Sequence, residues 1–288
     1  MTTAPPEHLS FSAAETLERC AKSYFLKYIA RAPKRPAVWS AGGSAVHSVT
    51  ETYDLLTLVE GEDFDWSPEE LREQWETAFD LEVDQARLKE PNTNKWGGSP
   101  SEPIDVWRQI GPGFVRSYIE WRQRSHWTLW TTPDGEPAIE LDVAGRLPGC
   151  PVEIKGYVDR IFHDDMFDKH IVLDLKSGKR PPKSPAQFGT YSALTQAKYG
   201  LAVDLGVPFM NRKGTVGRIY DMTEYTPEVV GESYGKAWEK VQAGDWTADP
   251  SDCFICDVQA SCAVRGGPLA IHYDPAAPGY PAPLIEEP

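Results

Sequence analysis

The sequence predicts a mixed α/β or α+β core behind a helical N-terminal region. Three observations carry that prediction. The first 125 residues are dominated by helical periodicity. Alternating or apolar runs at 138–147, 152–162 and 170–176, separated by Gly, Pro and Asp, read as three strands. A helix at 184–199, a strand at 214–222 and a helix at 226–243 complete the core.

Residues 10–30 fit one helix, capped by Ser10 or Ser12, with Glu15 three residues after Ser12 as in a capping box. Pro33 and Pro36 break it. Residues 42–59 fit a second helix, with Val46, Val49, Tyr53 and Leu56 along one stripe. An acidic helix follows over 67–90, then a loop at 91–103 and a further helix over 104–125. Six prolines in the last 23 residues predict an irregular tail over 266–288. Residues 1–265 are expected to form one unit: a mainly helical part at 8–130, a core at 137–245 and a cysteine segment at 250–265.

Of 288 residues, 41% are hydrophobic and 25% charged, values of a globular chain. No apolar run approaches the ~20 residues that span a bilayer, and the N-terminus lacks the basic and apolar regions of a secretory signal, so a cytoplasmic location is expected. The net charge of −14 argues against a protein that coats nucleic acid non-specifically. The charge is uneven. Residues 19–35 carry Arg19, Lys22, Lys27, Arg31, Lys34 and Arg35 and no acid, whereas 51–90 hold 14 acids and three bases. A second basic cluster comprises Lys176, Lys179, Arg180 and Lys183. An anionic partner would be met only at defined places.

The segment GYVDRIFHDDMFDKHIVLDLKSGK, residues 156–179, reads as two strands around an Asp-rich turn. A turn centred between Met166 and Phe167 sets Asp159 opposite Asp174, with Cβ atoms about 4.5–5.5 Å apart. Facing carboxylates repel unless a cation sits between them, and a divalent ion with oxygen ligands is the natural candidate. Lys176 shares the face of Asp174, while Leu173 and Leu175 point to the core. Two carboxylates and an ammonium can bind a metal, activate water and stabilise charge on a phosphate. The plain alternative is an exposed strand face with a weak ion pair, and a register slip of one residue would separate the acids. Glu140, on the preceding strand, is a candidate third acid or a surface charge, with Asp142 competing. His47 lies well off its helix's apolar stripe, which favours an exposed residue. Gln187 and Tyr191 share a helix face from which they could orient water or substrate near Lys176, although spacing alone favours packing.

Five cysteines without a secretory signal make a poor disulfide framework. Cys253-x2-Cys256-x5-Cys262 supplies three thiols in ten residues, one short of a four-thiolate zinc or iron–sulfur site, and Cys20 is the obvious fourth. The one-plus-three pattern favours an iron–sulfur cluster over a zinc ribbon with its two C-x-x-C pairs. Cys150, between Gly149 and Pro151, reads as structural or incidental.

These segments resemble a known family. LSFSAAETLERCAKSYFLKYI is similar to the opening of RecB-type nucleases, and GGSAVHSVTE to their small-Gly-x-x-x-His helix. GYVDRIFHDD and IVLDLKSGK resemble the core motifs of the PD-(D/E)XK superfamily, QFGTYSALTQAKYG its Gln-x-x-x-Tyr motif, and the cysteines its iron–sulfur staple. The likeness is nearest to CRISPR-associated RecB-like exonucleases and stand-alone phage relatives, and runs over residues 8–265 in matching order. It implies a restriction-endonuclease-like α/β core, a mixed sheet flanked by helices. It implies Mg²⁺ or Mn²⁺ on His47, Asp159 and Asp174, with Lys176 acting on water and Gln187 and Tyr191 accessory. It implies a 4Fe-4S cluster on Cys20, Cys253, Cys256 and Cys262 joining the two ends. The expected partner is DNA, single-stranded or at ends, guided by Lys22, Lys27, Arg31, Lys179 and Arg180. Two rival readings are a non-catalytic DNA-end-binding or adaptor protein, which has no need of all four of His47, Asp159, Asp174 and Lys176, and an unrelated zinc protein.

Overall fold

The computed structural model describes residues 6–281 apart from 62 and 252. A short strand, β1 (His8–Ser10), leads into α1 (Phe11–Arg19). Ser10 is the N-cap, its hydroxyl accepting from Ala13 N–H. The helix expected over 10–30 is not continuous. It opens at Cys20, which is extended, then resumes as α2 (Ala21–Tyr24) and a π-helical turn, Phe25–Ile29. The break turns the Cys20 thiol out of the helical surface, and its sulfur caps α2 by accepting from Ser23 N–H.

α3 (Val38–Glu60), α4 (Pro68–Lys89) and α5 (Ile104–Arg124) pack on one another as expected from periodicity. Ser67 and Glu70 close a capping box on α4. The three helices enclose a core of Val46, Val49, Tyr53, Trp75, Phe79 and Trp107, among others. Small residues set the close approach: a Cβ on Gly42 would lie 2.1 Å from the Trp107 ring, and one on Gly111 1.9 Å from Trp75. Pro112 stands inside α5, where its missing N–H leaves the Arg108 carbonyl free. The Trp75 indole N–H donates to that carbonyl at 3.2 Å.

The chain then builds β2 (Trp127–Leu129), β3 (Ile139–Asp142), β4 (Glu153–Lys155), β5 (Tyr157–Asp164) and β6 (Lys169–Lys176). After α6 (Ala186–Tyr199) come β7 (Leu205–Met210), β8 (Thr215–Val216), β9 (Tyr220–Asp221) and α7 (Pro227–Ala243). Seven strands form one mixed sheet ordered β2-β5-β6-β7-β8, with β3 also on β5 and β9 also on β7. The β6–β7 pair is parallel and joined by α6, as in a βαβ unit; β1 and β4 form a separate parallel pair. One sheet face packs on Tyr118 and Trp121 of α5, the other on α6, α7 and the N-terminal helices. No described helix is long and apolar enough to cross a membrane.

The sequence reading missed β2 and β7 and merged β8 with β9. β7 carries Pro208, which argues against a central strand. The structure accommodates it because β9 pairs with Leu205 and Gly206, and β8 with Phe209 and Met210. Pro208 therefore falls where that partner edge is interrupted.

The expected irregular tail is turns and coil over 266–281 apart from one four-residue helix; 282–288 lie outside the described residues. α8 (Ala270–Tyr273) brings Asp274 into the interior, where it accepts from Lys22 Nζ (2.9 Å), Ala263 N–H (2.9 Å) and Ala276 N–H (3.1 Å). Lys27 pairs with Asp257 at 2.6 Å, and Arg35 N–H donates to the Asp257 carbonyl. The two ends are thus tied by buried charge as well as by apolar contact. Burial raises the Asp274 pKa, but its N–H donors and Lys22 outweigh that and lower it. A lowered folded-state pKa contributes stability that is complete above the unfolded carboxylate pKa and is lost as pH falls from there through the lowered folded-state value. Asp274→Ala leaves the Lys22 ammonium buried and unpaired and is expected to cost about 3–5 kcal/mol. Denaturant unfolding measures this; a wild-type midpoint would show that the pair does not hold the ends.

Candidate active site

β5 and β6 pair in the register set by a turn between Met166 and Phe167: Arg160 faces Leu173, and the ladder runs to Asp164 and Lys169. One step further, Asp159 faces Asp174. On the other edge of β5, Ile139 pairs with Arg160 and Leu141 with Val158, which faces Glu140 with Asp159. Glu140, Asp159 and Asp174 therefore occupy one row across three strands. Asp142, the competitor of Glu140, is exposed and accepts from Ala144 N–H instead.

His47 reaches this row from α3. Its Nδ1 lies 3.5 Å from Glu140 Oε1 and 3.5 Å from Asp159 Oδ2. One ligand atom from each of the three residues falls within 4.8 Å of the others. Helix spacing pointed to an exposed histidine; His47 is half-buried because α3 packs on β3. Asp174 is buried, and its Oδ2 lies 2.5 Å from Lys176 Nζ. Lys176 Nζ donates to Gln187 Oε1 at 2.9 Å, and Gln187 Nε2 donates to the Tyr191 hydroxyl at 3.0 Å. The α6 pair thus holds the lysine rather than merely filling space.

The electrostatics follow from crowding. Burial and the Asp174 and Glu140 carboxylates push Asp159 up to about 7, against His47 and the Leu175 N–H, which donates to Asp159 Oδ2. Burial lowers the His47 pKa, but Asp159, Glu140 and Asp174 together carry it up to about 9. Burial, with the charges of Asp174 and Asp159, pushes the Tyr191 phenol far above its usual value, so it stays protonated. A buried Glu140 Oε1 has no hydrogen-bond partner. One imidazole nitrogen and several carboxylate oxygens, mutually repelling and partly orphaned, form a donor set that fits a divalent cation.

Behind the row lies a polar cluster that no spacing signalled. Arg160, adjacent to Asp159 in the sequence, is fully buried. Its Nε donates to Asp54 Oδ2 and one terminal nitrogen to the Asp159 carbonyl, with Glu140 Oε1 3.6 Å away. Tyr118 Oη donates to the same Asp54 oxygen at 2.7 Å. Glu140 adopts a left-handed φ of 46°, a strained conformation for a non-glycine residue within a strand. Charge pairing with Arg160 and His47 accompanies that geometry.

Cys20, Cys253, Cys256 and Cys262 line one small cavity. Cys20 Sγ accepts from Ser23 N–H and Asp249 N–H, both at 3.4 Å. Cys150 lies elsewhere, its thiol donating to the Val152 carbonyl.

Two of the expected DNA-guiding residues are corrected. Lys22 and Lys27 are consumed by the ion pairs with Asp274 and Asp257, so neither ammonium is free for a phosphate. Arg31 and Arg180 are exposed, and Lys179 pairs with Glu102 at 2.8 Å on the surface.

Arg160→Ala removes the buried charge partner of Asp54, leaving it Tyr118 Oη at 2.7 Å and Arg122 Nε at 3.6 Å, and is expected to cost about 3 kcal/mol in unfolding free energy. An unfolding midpoint equal to wild type would show that Arg160 does not hold the row.

A family model for the PD-(D/E)XK nuclease superfamily matches residues 8–263. The Gene 69 protein of Mycobacterium phage D29 is 30% identical over 271 residues, which cover 88% of this chain and 96% of the phage protein. The Gene 69 protein of Mycobacterium phage L5 is 28% identical over 285 residues, with the same shares. With an acid row, an Asp-x-Lys strand and a match over nearly its whole length, the chain belongs to the PD-(D/E)XK nuclease superfamily.

Proposed function

We propose that the chain is a metal-dependent deoxyribonuclease that removes nucleotides from DNA ends, single strands first, and carries a structural 4Fe-4S cluster. The observation that carries the nuclease reading is the convergence of His47, Glu140 and Asp159 beside the Asp174–Lys176 pair. His47, Glu140, Asp159 and Asp174 would hold Mg²⁺ or Mn²⁺. Such an ion supplies Lewis-acid polarisation of the phosphate and lowers the pKa of water.

The remaining work falls to the chain. Lys176 presents its ammonium at the end of the row, where it offsets negative charge building on a phosphate. Gln187 fixes that ammonium, and Tyr191, protonated, fixes Gln187. Arg160 holds the Asp159 backbone and faces Glu140 from the dry side. Arg180, exposed on the loop after Lys176 and without a carboxylate partner among the described residues, is the basic residue there available to an incoming backbone; Lys179 is paired with Glu102. The phage relatives suggest the cytoplasm of an infected bacterium as the place of action.

The cluster reading is supported by four thiols around one cavity and by the N–H donors on Cys20.

Asp174→Ala is expected to fold and to lose about 10²-fold or more in Mg²⁺- or Mn²⁺-dependent release of end label from single-stranded DNA. Undiminished cleavage by that variant overturns the site. Cys256→Ala, purified without oxygen, is expected to lose iron and acid-labile sulfide and to melt lower. Full iron content at an unchanged melting temperature refutes the cluster reading.

A further inference from the structure

A second feature of the surface is a groove of about 750 Å³ at the start of α3, away from the acid row. Its basic lining is Arg19, Lys34, Arg35 and Lys89, none of which has a carboxylate partner among the described residues. The acids that face it are Asp257, already neutralised by Lys27, and Glu82. The groove is therefore net positive on a chain of net charge −14.

Two aromatic rings lie open in it. Trp39 is 59% exposed and Phe254 74% exposed, and neither stacks on another ring among the described residues. Exposing an indole and a phenyl to water costs hydrophobic free energy that folding does not recover. Phe254 stands between Cys253 and Cys256, so the cysteine loop builds one wall of the groove.

The groove leads to the acid row. Trp39, Gly43 and His47 are spaced four residues apart and follow one face of α3. The rise from Trp39 to His47 is about 12 Å. Gly43, between them, has no side chain; a Cβ there would meet Ser177 Oγ, on the loop after Lys176, at 3.1 Å. His47, Gly43 and Glu140 line the shallow depression at the far end.

We propose that this groove is the track by which one DNA strand reaches His47, Glu140 and Asp159, its bases stacked on Trp39 and Phe254 and its phosphates held by Arg19, Lys34, Arg35 and Lys89. The proposal rests on the nuclease reading above. Open aromatic faces select an unpaired strand, because bases in a duplex are already stacked. Stacking on a π-face is indifferent to base identity, which suits an enzyme that must digest any sequence.

The test is binding of a fluorescent oligo(dT) by anisotropy in EDTA, where no chemistry is required, with a duplex of the same length beside it. Trp39→Ala is expected to weaken oligo(dT) binding about tenfold, and Trp39→Phe to restore most of the affinity. The double variant Lys34→Glu/Arg35→Glu is expected to reduce the slope of log Kd against log salt by about 1.4, at about 0.7 for each single-strand phosphate left unneutralised. Circular dichroism confirms the fold of each variant. Wild-type affinity and salt slope in Trp39→Ala and in the double variant overturn the track, as does equal binding of the duplex. Oligo(dT) binding that depends on Trp39, in a wild type that cleaves nothing, sinks the nuclease reading and leaves the track standing.

Discussion

The constraint on which the rest of the structure depends is the repulsion within one row of carboxylates. Glu140, Asp159 and Asp174 come from three strands whose register brings them side by side. Two like charges 4 Å apart at an effective dielectric of 20 cost about 4 kcal/mol; Asp159, between Glu140 and Asp174, meets one on each side. The surrounding architecture supplies the opposing charge. Lys176 takes Asp174, His47 sits against Asp159 and Glu140, and Arg160 anchors the dry side. Asp159 remains the most compromised member, which is why its carboxyl is pushed toward neutrality. A site built this way discharges its repulsion by taking a cation or by holding a proton. One imidazole nitrogen beside several carboxylate oxygens is a donor set that fits a divalent cation.

How much of this was legible in the sequence depends on the range of the information. The β5–β6 register is local: the turn between Met166 and Phe167 sets it, and Asp159 opposite Asp174 follows from counting. Helices α3, α4 and α5 were legible because periodicity and caps are local too. The placement of His47 was not, since helix geometry says which way a residue points and not what the helix lies against. Asp54 and Tyr118 were invisible for the same reason, being 106 and 42 positions from the Arg160 they serve. β7 was missed because Pro208 obeys a rule about paired strands that the split between β8 and β9 suspends. The charge of residues 19–35 misled in part. A run of bases reads as a surface, yet Lys22 and Lys27 answer to acids more than 200 residues away.

Closure of the chain is the second theme. Asp274 and Asp257 seal the N-terminal helices from the far end of the sequence, and the four cysteines meet at the same junction. A link between residues this distant removes the largest share of loop-closure entropy from the unfolded chain. Buried ion pairs alone are an uncertain source of stability, because desolvation offsets much of their attraction. The proposed cysteine-held group would add a tie at the same junction that does not depend on desolvated charge. The break at Cys20 then has a physical reason: an unbroken helix over 10–30 would present its sulfur at a fixed angle on the helix surface, whereas the extended residue delivers it to the cavity with its N–H donors in place.

The net charge of −14 looks at odds with a polyanionic substrate until the acids are placed. Many of them lie on the exposed face of α4, between Glu69 and Asp84, with Arg108 of α5 paired to Asp80 at the inner edge. Only Glu82 of these acids lines the basic groove, and exposed charges more than a Debye length of about 8 Å apart are largely screened by salt. A net negative surface disfavours non-specific adsorption of nucleic acid, while the start of α3 keeps basic residues without a carboxylate partner among the described residues. A strand captured on the proposed track would arrive along the helix that carries His47, and the same helix would then set both where a phosphate backbone is admitted and where the acid row meets it.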